Sequence, residues 1–241
     1  MTQHLRAECR LILTILFRQP GFWVPTVIFP AMLYAFFGAQ SGGGSWAANA
    51  MASFCIYAVL GVGFFQFGVS VAQDRQSAFA TWQRSLPGHR VIAWIARVMG
   101  SVVFVILAVW LVVLAALLMA EIDLSPQAWV RLALVCLLAS IPATVMGIAL
   151  GSVSSARAAV PIANLIFLPL AYLGGLWVPP MFMPAPIAAL SEWTPTRAMG
   201  ELSWAAIDGS AWEPLQFAIL AAWTSVAAAV IFISRGIARG A

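Results

Sequence analysis

Six long apolar runs without a charged residue constrain the fold of this 241-residue chain more than any other feature. The runs cover residues 22–39, 46–72, 98–120, 132–156, 158–191 and 215–234. A helix needs about 20 apolar residues to cross a bilayer. Only 8% of the residues are charged, against about 25% in a soluble domain, so lipid must be the main solvent. The sequence predicts an all-α polytopic membrane protein with six transmembrane helices.

The fifth run is longer than one crossing of the bilayer requires. Gly174, Gly175 and four prolines that follow them interrupt it, and such residues end helices. We therefore expect a helix to about residue 177 and then a re-entrant or interfacial segment on the outer side, rather than a seventh span. Replacing Gly174 and Gly175 by valine is expected to stiffen this break and reduce activity with little loss of folded protein.

These expectations define a single membrane domain, residues 1–241. An amphipathic interfacial helix is predicted at residues 3–18, a cytoplasmic helix at 73–87, and the outer segment at 178–200. The spans are placed at about residues 22–39, 46–72, 92–120, 131–154, 159–177 and 214–234.

The arginines set the orientation, since all 12 basic residues are arginine. Ten of them fall in segments on one predicted side: Arg6, Arg10, Arg18, Arg75, Arg84, Arg90, Arg97, Arg157, Arg235 and Arg239. Six of the eight acidic residues fall on the other side. Because short arginine-rich loops stay in the cytoplasm, both termini and residues 73–87 are predicted to be cytoplasmic.

Residues 73–87 are the most polar internal segment, and their spacing predicts a short amphipathic helix. Phe79, Trp82 and Leu86 share one face, and Pro87 ends the helix. The polar face carries Gln73, Asp74, Arg75, Gln76, Ser77, Thr81 and Arg84. A solvated helix that only fixes topology would give the same pattern, so the residues alone leave both readings open.

Two regions resemble the permeases of ABC-2 type transporters. Asp74–Arg75 and the stretch from Trp82 to Pro87 resemble the coupling region of that family, although Gln76 replaces its common acid. Residues 164–207 resemble its fifth span and outer hairpin, with prolines and small residues in the same order: Pro169, Gly174, Gly175, Pro179, Pro186 and Pro195. With the six runs, the resemblance covers essentially the whole chain.

The resemblance implies a membrane subunit in the inner membrane of a bacterium, working as two copies with a separate cytoplasmic ATPase. ATP and Mg²⁺ would then belong to the partner, with no cofactor, metal or catalytic residue in this chain. The ATPase contact would comprise Gln73, Asp74, Arg75, Gln76, Ser77, Thr81 and Arg84, anchored by Phe79, Trp82, Leu86 and Pro87. The pathway or dimer face would include Phe64, Gln66, Phe67, Asn164, Pro169, Gly174 and Gly175. Lipids, and no nucleic acid, are the other expected partners.

Several alternatives can be weighed from the residues. An ion-coupled secondary transporter keeps ionisable groups inside the membrane. The six runs contain none, which makes a secondary transporter the less favoured alternative. The absence of lysine excludes a P-loop in this chain. A non-transporting assembly factor stays open as an alternative.

The uncharged interior favours an amphiphilic or lipophilic cargo such as a drug, antibiotic, peptide or lipid-linked molecule. The motif Gly147-x-x-x-Gly151 predicts close helix packing, either within the chain or between copies.

Overall fold

The computed structural model describes residues 20–38, 43–75 and 90–240, together with residues 6, 10, 13, 14, 17 and 18 of the N-terminal segment. Every regular element in this part of the chain is a helix, which confirms the predicted all-α class. The first is α1, Pro20–Leu33, which continues as a π-helical turn, Tyr34–Gly38. Next is α2, Gly44–Gly61, followed without a break by a π-helical segment, Val62–Val69, and by α3, Ser70–Arg75.

Six α-helices and one 3-10 turn follow in the rest of the described chain. The long helices α4, Arg90–Met119, and α5, Pro126–Val153, follow each other in the chain. The shorter α6, Ala159–Leu173, is followed by a 3-10 turn, Pro180–Phe182. The last three are α7, Ala185–Ser191, α8, Pro195–Asp208, and α9, Pro214–Gly240.

Four stretches of the described chain are long and apolar enough to cross a membrane: Gly44–Arg75, Met99–Met119, Pro126–Val153 and Pro214–Ser234. Two shorter apolar helices, Trp23–Gly38 and Ala159–Leu173, coincide with the first and fifth predicted spans. Each of the six predicted runs thus contains a helix, and four of these helices are long and apolar enough to span a membrane.

The stretch Gly44–Arg75 is the central helix of the bundle. Its apolar part is 89% buried inside the bundle, whereas the apolar parts of Pro126–Val153 and Pro214–Ser234 are 56% and 17% buried. The helices α4, α5, α6 and α8 all pack on it. The exposed apolar side chains lie mainly on the peripheral helices, where lipid would cover them.

Three predicted boundaries differ from the structure. Helix α5 begins at Pro126 rather than near residue 131, because Ser125 caps it by accepting a hydrogen bond from the Ala128 amide at 3.2 Å and Pro126 suits the first turn. Helix α6 ends at Leu173, four residues before the predicted end. Residue 200, the predicted limit of the outer segment, lies in the middle of α8.

The described residues of the N-terminal segment fit two helical faces. Arg6, Arg10 and Thr14 are helical and exposed, whereas Leu13 packs against the core. The ring of Phe17 lies 5.0 Å from that of Phe104 on α4. The location of this segment in the membrane interface stays a prediction.

Candidate functional site

The π-helical segment of the central helix lies against α5 with almost no side chain between the two backbones. A Cβ atom added at Gly63 would lie 2.6 Å from the backbone of Ala143, and one added at Gly68 would lie 2.9 Å from the carbonyl oxygen of Gly147. Added Cβ atoms at Gly147 and Gly151 would strike the carbonyl oxygens of Gly63 and Gly68. The Gly147-x-x-x-Gly151 motif therefore packs within the chain, which resolves the alternative that the sequence left open.

The π-helical winding is what brings both glycines of the central helix onto this face. Residues five apart are hydrogen-bonded neighbours in a π-helix, so Gly63 and Gly68 stack one above the other and both meet Gly147. In an α-helix, residues four apart would stack instead. The interhelical contact and the unusual winding therefore depend on each other. We call the contact formed by Gly63, Gly68, Gly147 and Gly151 the glycine contact.

Gln66 is the most unusual residue of this segment. Its side chain is 4% exposed, and neither the Nε2 nor the Oε1 atom has a hydrogen-bond partner. A buried amide without partners costs free energy, and more so in lipid, where no water compensates it. An unpaired polar group at a π-helical turn makes Gln66 a candidate functional residue.

We expect Gln66→Met to stabilise the folded chain. Methionine has a similar linear shape without the unpaired amide, and removal of a buried unsatisfied group is worth about 1–3 kcal/mol. The measurement is the thermal unfolding midpoint of the purified protein in detergent. Gln73→Met is the matched control, because Gln73 is exposed on the same helix, and should leave the midpoint unchanged. A midpoint for Gln66→Met at or below that of the wild type would show that the buried amide of Gln66 does not destabilise the folded chain.

The predicted pathway phenylalanines are covered by helices of the same chain. Phe64 and Phe67 are 2% and 1% exposed. The ring of Phe167 on α6 lies 6.0 Å from Phe64, 5.5 Å from Phe65 and 4.8 Å from Tyr57. In the conformation described, Phe64, Gln66 and Phe67 thus do not lie on an exposed face of one copy, and their assignment to a pathway or dimer face stays a prediction.

The other predicted pathway residues lie on or after α6. The side-chain amide of Asn164 donates to the carbonyl oxygen of Val160 at 3.2 Å, and Pro169 is exposed on the same helix. Gly174 and Gly175 are buried where the chain turns away from α6. The structure therefore places these four residues on α6 and the turn after it, away from Gln66 on the central helix, and Phe167 of α6 packs against Phe64 of that helix.

The turn at Gly174 and Gly175 holds α8 against the bundle. Gly175 has a φ of +74°, a conformation that glycine adopts without strain. The hydroxyl of Thr196, at the start of α8, donates to the carbonyl oxygen of Leu170 at 2.6 Å. The indole of Trp204 donates to the hydroxyl of Ser53 on α2 at 2.8 Å. The segment after the fifth run is therefore a buried structural element, which its composition alone did not indicate.

Of the predicted cytoplasmic helix, residues 73–87, the structure describes only residues 73–75, at the end of the central helix. Gln73, Asp74 and Arg75 lie in α3, continuous with the central helix. The Nη1 atom of Arg75 donates to the carbonyl oxygens of Gly151, at 3.2 Å, and of Ser152, at the end of α5. The remaining predicted contact and anchoring residues lie outside the described residues: Gln76, Ser77, Phe79, Thr81, Trp82, Arg84, Leu86 and Pro87.

The opposite end of the bundle is acidic. A cavity of about 360 Å³ lies there, lined among others by Glu121, Asp123 and Asp208. The amide of Gly44 donates to the carbonyl oxygen of Glu121 at 3.2 Å, which joins the start of α2 to the loop after α4. The arginine of α5, Arg131, stacks 4.9 Å from the ring centroid of Trp212. The two ends of the bundle therefore differ in charge, as the sequence predicts.

The geometry defines a class of protein: a polytopic α-helical membrane protein with a central helix that runs directly into a charged segment at one end. Comparison with known proteins then identifies the family. Residues 9–206 match the ABC-2 type transporter family, and the chain belongs to it. It is 26% identical over 167 residues to the Bacillus subtilis (strain 168) protein named "Putative transport permease YvfS". The aligned region covers 68% of this chain and 67% of that protein. The family assigns the chain as a membrane transport subunit rather than an enzyme.

Proposed function

We propose that the chain is the membrane-spanning permease subunit of an ATP-driven exporter. A separate cytoplasmic ATPase hydrolyses ATP with its own Mg²⁺, and this chain forms the pathway for an amphiphilic or lipophilic cargo. The observation that carries the proposal is the central helix. It is the most buried helix of the bundle, and it continues without a break through Asp74 and Arg75. A partner that displaced the cytoplasmic segment would therefore act on the middle of the bundle.

The charge distribution supports an orientation with both termini in the cytoplasm of a bacterial cell. Arg75 meets the end of α5 at one end of the bundle, and the arginine-rich segments fall at that end by the alternation of the helices. The acidic side chains of Glu121, Asp123 and Asp208 gather at the other end. Arginine-rich ends stay cytoplasmic. With Trp23–Gly38 and Ala159–Leu173 as crossings, the chain has six spans, and the elements α7 and α8 are too short to add a seventh.

A second copy of the chain would complete the pathway. The exposed apolar side chains of α6, among them Leu165 and Leu168, offer a face that lipid or a second copy would cover. In the part of the chain that the structure describes, the central helix fills the centre of the bundle, so six crossings from each of two copies would enclose the passage between them. The homodimer, like the nature of the cargo, is part of this proposal.

We expect Arg84→Glu to weaken association with the ATPase roughly tenfold, since charge reversal at a contact opposes a complementary partner. The wild-type chain and the variant would be purified with the ATPase that co-purifies from the native membrane, and their affinities compared. Arg157→Glu, the same charge reversal on an exposed residue of the loop after α5, is the control and should bind normally. Equal affinities for all three proteins would contradict the assignment of residues 73–87 as the contact.

The functional class is tested by reconstitution of the chain and its ATPase in vesicles with a fluorescent short-chain phospholipid as the trial cargo. ATP-dependent movement of the lipid supports an exporter. Movement that follows a proton gradient without ATP would instead indicate a secondary transporter. An ATPase complex that moves neither this lipid nor a panel of amphiphilic drugs and peptides would indicate an assembly factor.

A further inference from the structure

The end of α5 depends on Arg75 for its hydrogen bonding. The last four carbonyl groups of an α-helix have no partner within the helix. At the end of α5, the amide of Ser154 satisfies the carbonyl of Leu150, and the carbonyls of Gly151 and Ser152 accept from Nη1 of Arg75. The guanidinium also lies where the helix dipole places partial negative charge. Arg75 is thus bound within its own chain, although its position in the cytoplasmic segment predicted a contact with the ATPase.

The same two helices are in contact along the turns that precede this cap. The glycine contact joins the π-helical segment to α5, and closer to Arg75 the side chains of Phe67, Val71 and Ile148 form one buried cluster. A Cβ atom added at Gly151 would lie 3.0 Å from Cβ of Val71. A sliding movement of one helix against the other would break these contacts, since closely packed interfaces do not deform continuously.

We propose that Arg75 is a positioning residue that locks the central helix to α5, so that the two helices follow the cytoplasmic segment as a single body. This inference rests on the proposed function, and it changes the role of one residue within it. Gln73, Asp74 and residues 76–84 make the contact with the ATPase, whereas Arg75 transmits the movement of that contact to α5. The glycine contact connects the two helices rigidly. The hydrogen bonds from Arg75 to the carbonyls of Gly151 and Ser152 fix the cytoplasmic end of this connection.

The first test separates coupling from association. Arg75→Ala should bind the ATPase with the wild-type affinity, while ATP-driven cargo movement per ATP hydrolysed falls roughly tenfold, the range of a typical coupling between sites. Arg75→Lys, which keeps the charge and one donor, should restore part of the loss. Arg157→Ala, a control that removes the same charge beyond the end of α5, should behave as the wild type. An Arg75→Ala chain that lost its affinity for the ATPase, or kept full coupling, would overturn the proposal.

The second test follows the two helices directly. In a background with Cys9, Cys55 and Cys136 replaced by serine, the double variant Val71→Cys, Ile148→Cys is oxidised with iodine in the complex, both without nucleotide and with ADP and vanadate trapped. If the helices move together, the disulfide forms at the same rate in both states. Adding Arg75→Ala should make the rate several-fold slower in the trapped state alone.

The outcomes distinguish this inference from the function on which it rests. A wild-type chain that binds no ATPase would refute the proposed function, whatever the variants do. A wild-type complex that couples normally, and in which the Val71–Ile148 pair reacts in one nucleotide state only, would leave the function intact and refute the single-body movement.

Discussion

Replacement of Gly147 by alanine should destabilise the folded chain severely. The added Cβ would strike the carbonyl oxygen of Gly63 and come within 3.3 Å of the amide nitrogen of Gly68. Both are backbone atoms of a buried helix, so no flexible side chain can move aside. Either α5 must retreat from the central helix or the π-helical segment must rewind. Overpacking of a core costs about 1–3 kcal/mol, and occasionally more, and we expect the upper end of that range.

Gly61→Ala is the matched control for this prediction. Gly61 lies one residue before the π-helical segment, and an added Cβ there would meet only Thr26 Cγ2 at 3.7 Å and Phe167 Cζ at 3.9 Å, which are ordinary contacts. Because alanine favours a helix by about 1 kcal/mol over glycine, this variant should unfold at the same or a higher temperature. The measurements are the thermal unfolding midpoint and the yield of monodisperse protein in detergent for both variants. Equal midpoints for Gly147→Ala and Gly61→Ala would show that the glycine contact is not tight.

The helices themselves could be predicted from the sequence because a bilayer imposes one simple rule. Apolar length without charge is needed to cross lipid, and each of the six runs contains a helix, four of which are long enough to span. The same rule fails at the ends of helices. Arg131 marks a charge boundary in the sequence, yet α5 passes through it and begins at Pro126, because the cap at Ser125 and the stacking of Arg131 on Trp212 are local and tertiary effects.

The candidate site could be predicted only in part. Gly147 and Gly151 were visible as a packing motif, but their partners, Gly63 and Gly68, are five residues apart and match no α-helical pattern. The π-helical winding that aligns them is stabilised by the contact with α5, which depends on residues about 80 positions away in the chain. Gln66 stood out as polar, whereas its lack of partners follows from the packing alone.

Arg75 illustrates the same limit for function. Its position in a charged segment that is predicted to be cytoplasmic favours a partner contact, and residue type and periodicity cannot show that its guanidinium turns back to the end of α5. Only the folded chain brings residue 75 beside residues 151 and 152. The contact residues from 76 to 87 lie outside the described residues, so their assignment still rests on the sequence pattern and the family.

Replacement of Gly174 and Gly175 by valine should cause loss of folded protein, which differs from the expectation drawn from the sequence. The two glycines are not an open hinge. A Cβ atom at Gly174 would lie 2.6 Å from Cβ of Thr196, whose hydroxyl bonds to Leu170. A Cβ atom at Gly175 would lie 2.8 Å from the Pro180 ring and 3.1 Å from Trp204, at a positive φ. Valine would therefore displace the start of α8, and with it the bond from Trp204 to Ser53.

Three alanine variants separate the causes of this loss. Gly209 has a φ of +77° and nothing within 4 Å of an added Cβ, so Gly209→Ala carries only the conformational cost, about 1–2 kcal/mol. Gly174→Ala carries only the clash, because its φ of −67° suits any residue. Gly175→Ala carries both and should have the lowest thermal midpoint of the three. If Gly174→Ala melted with the wild type while Gly175→Ala fell no further than Gly209→Ala, α8 would not be held at this turn, and the glycines would act as the flexible break that the sequence suggested.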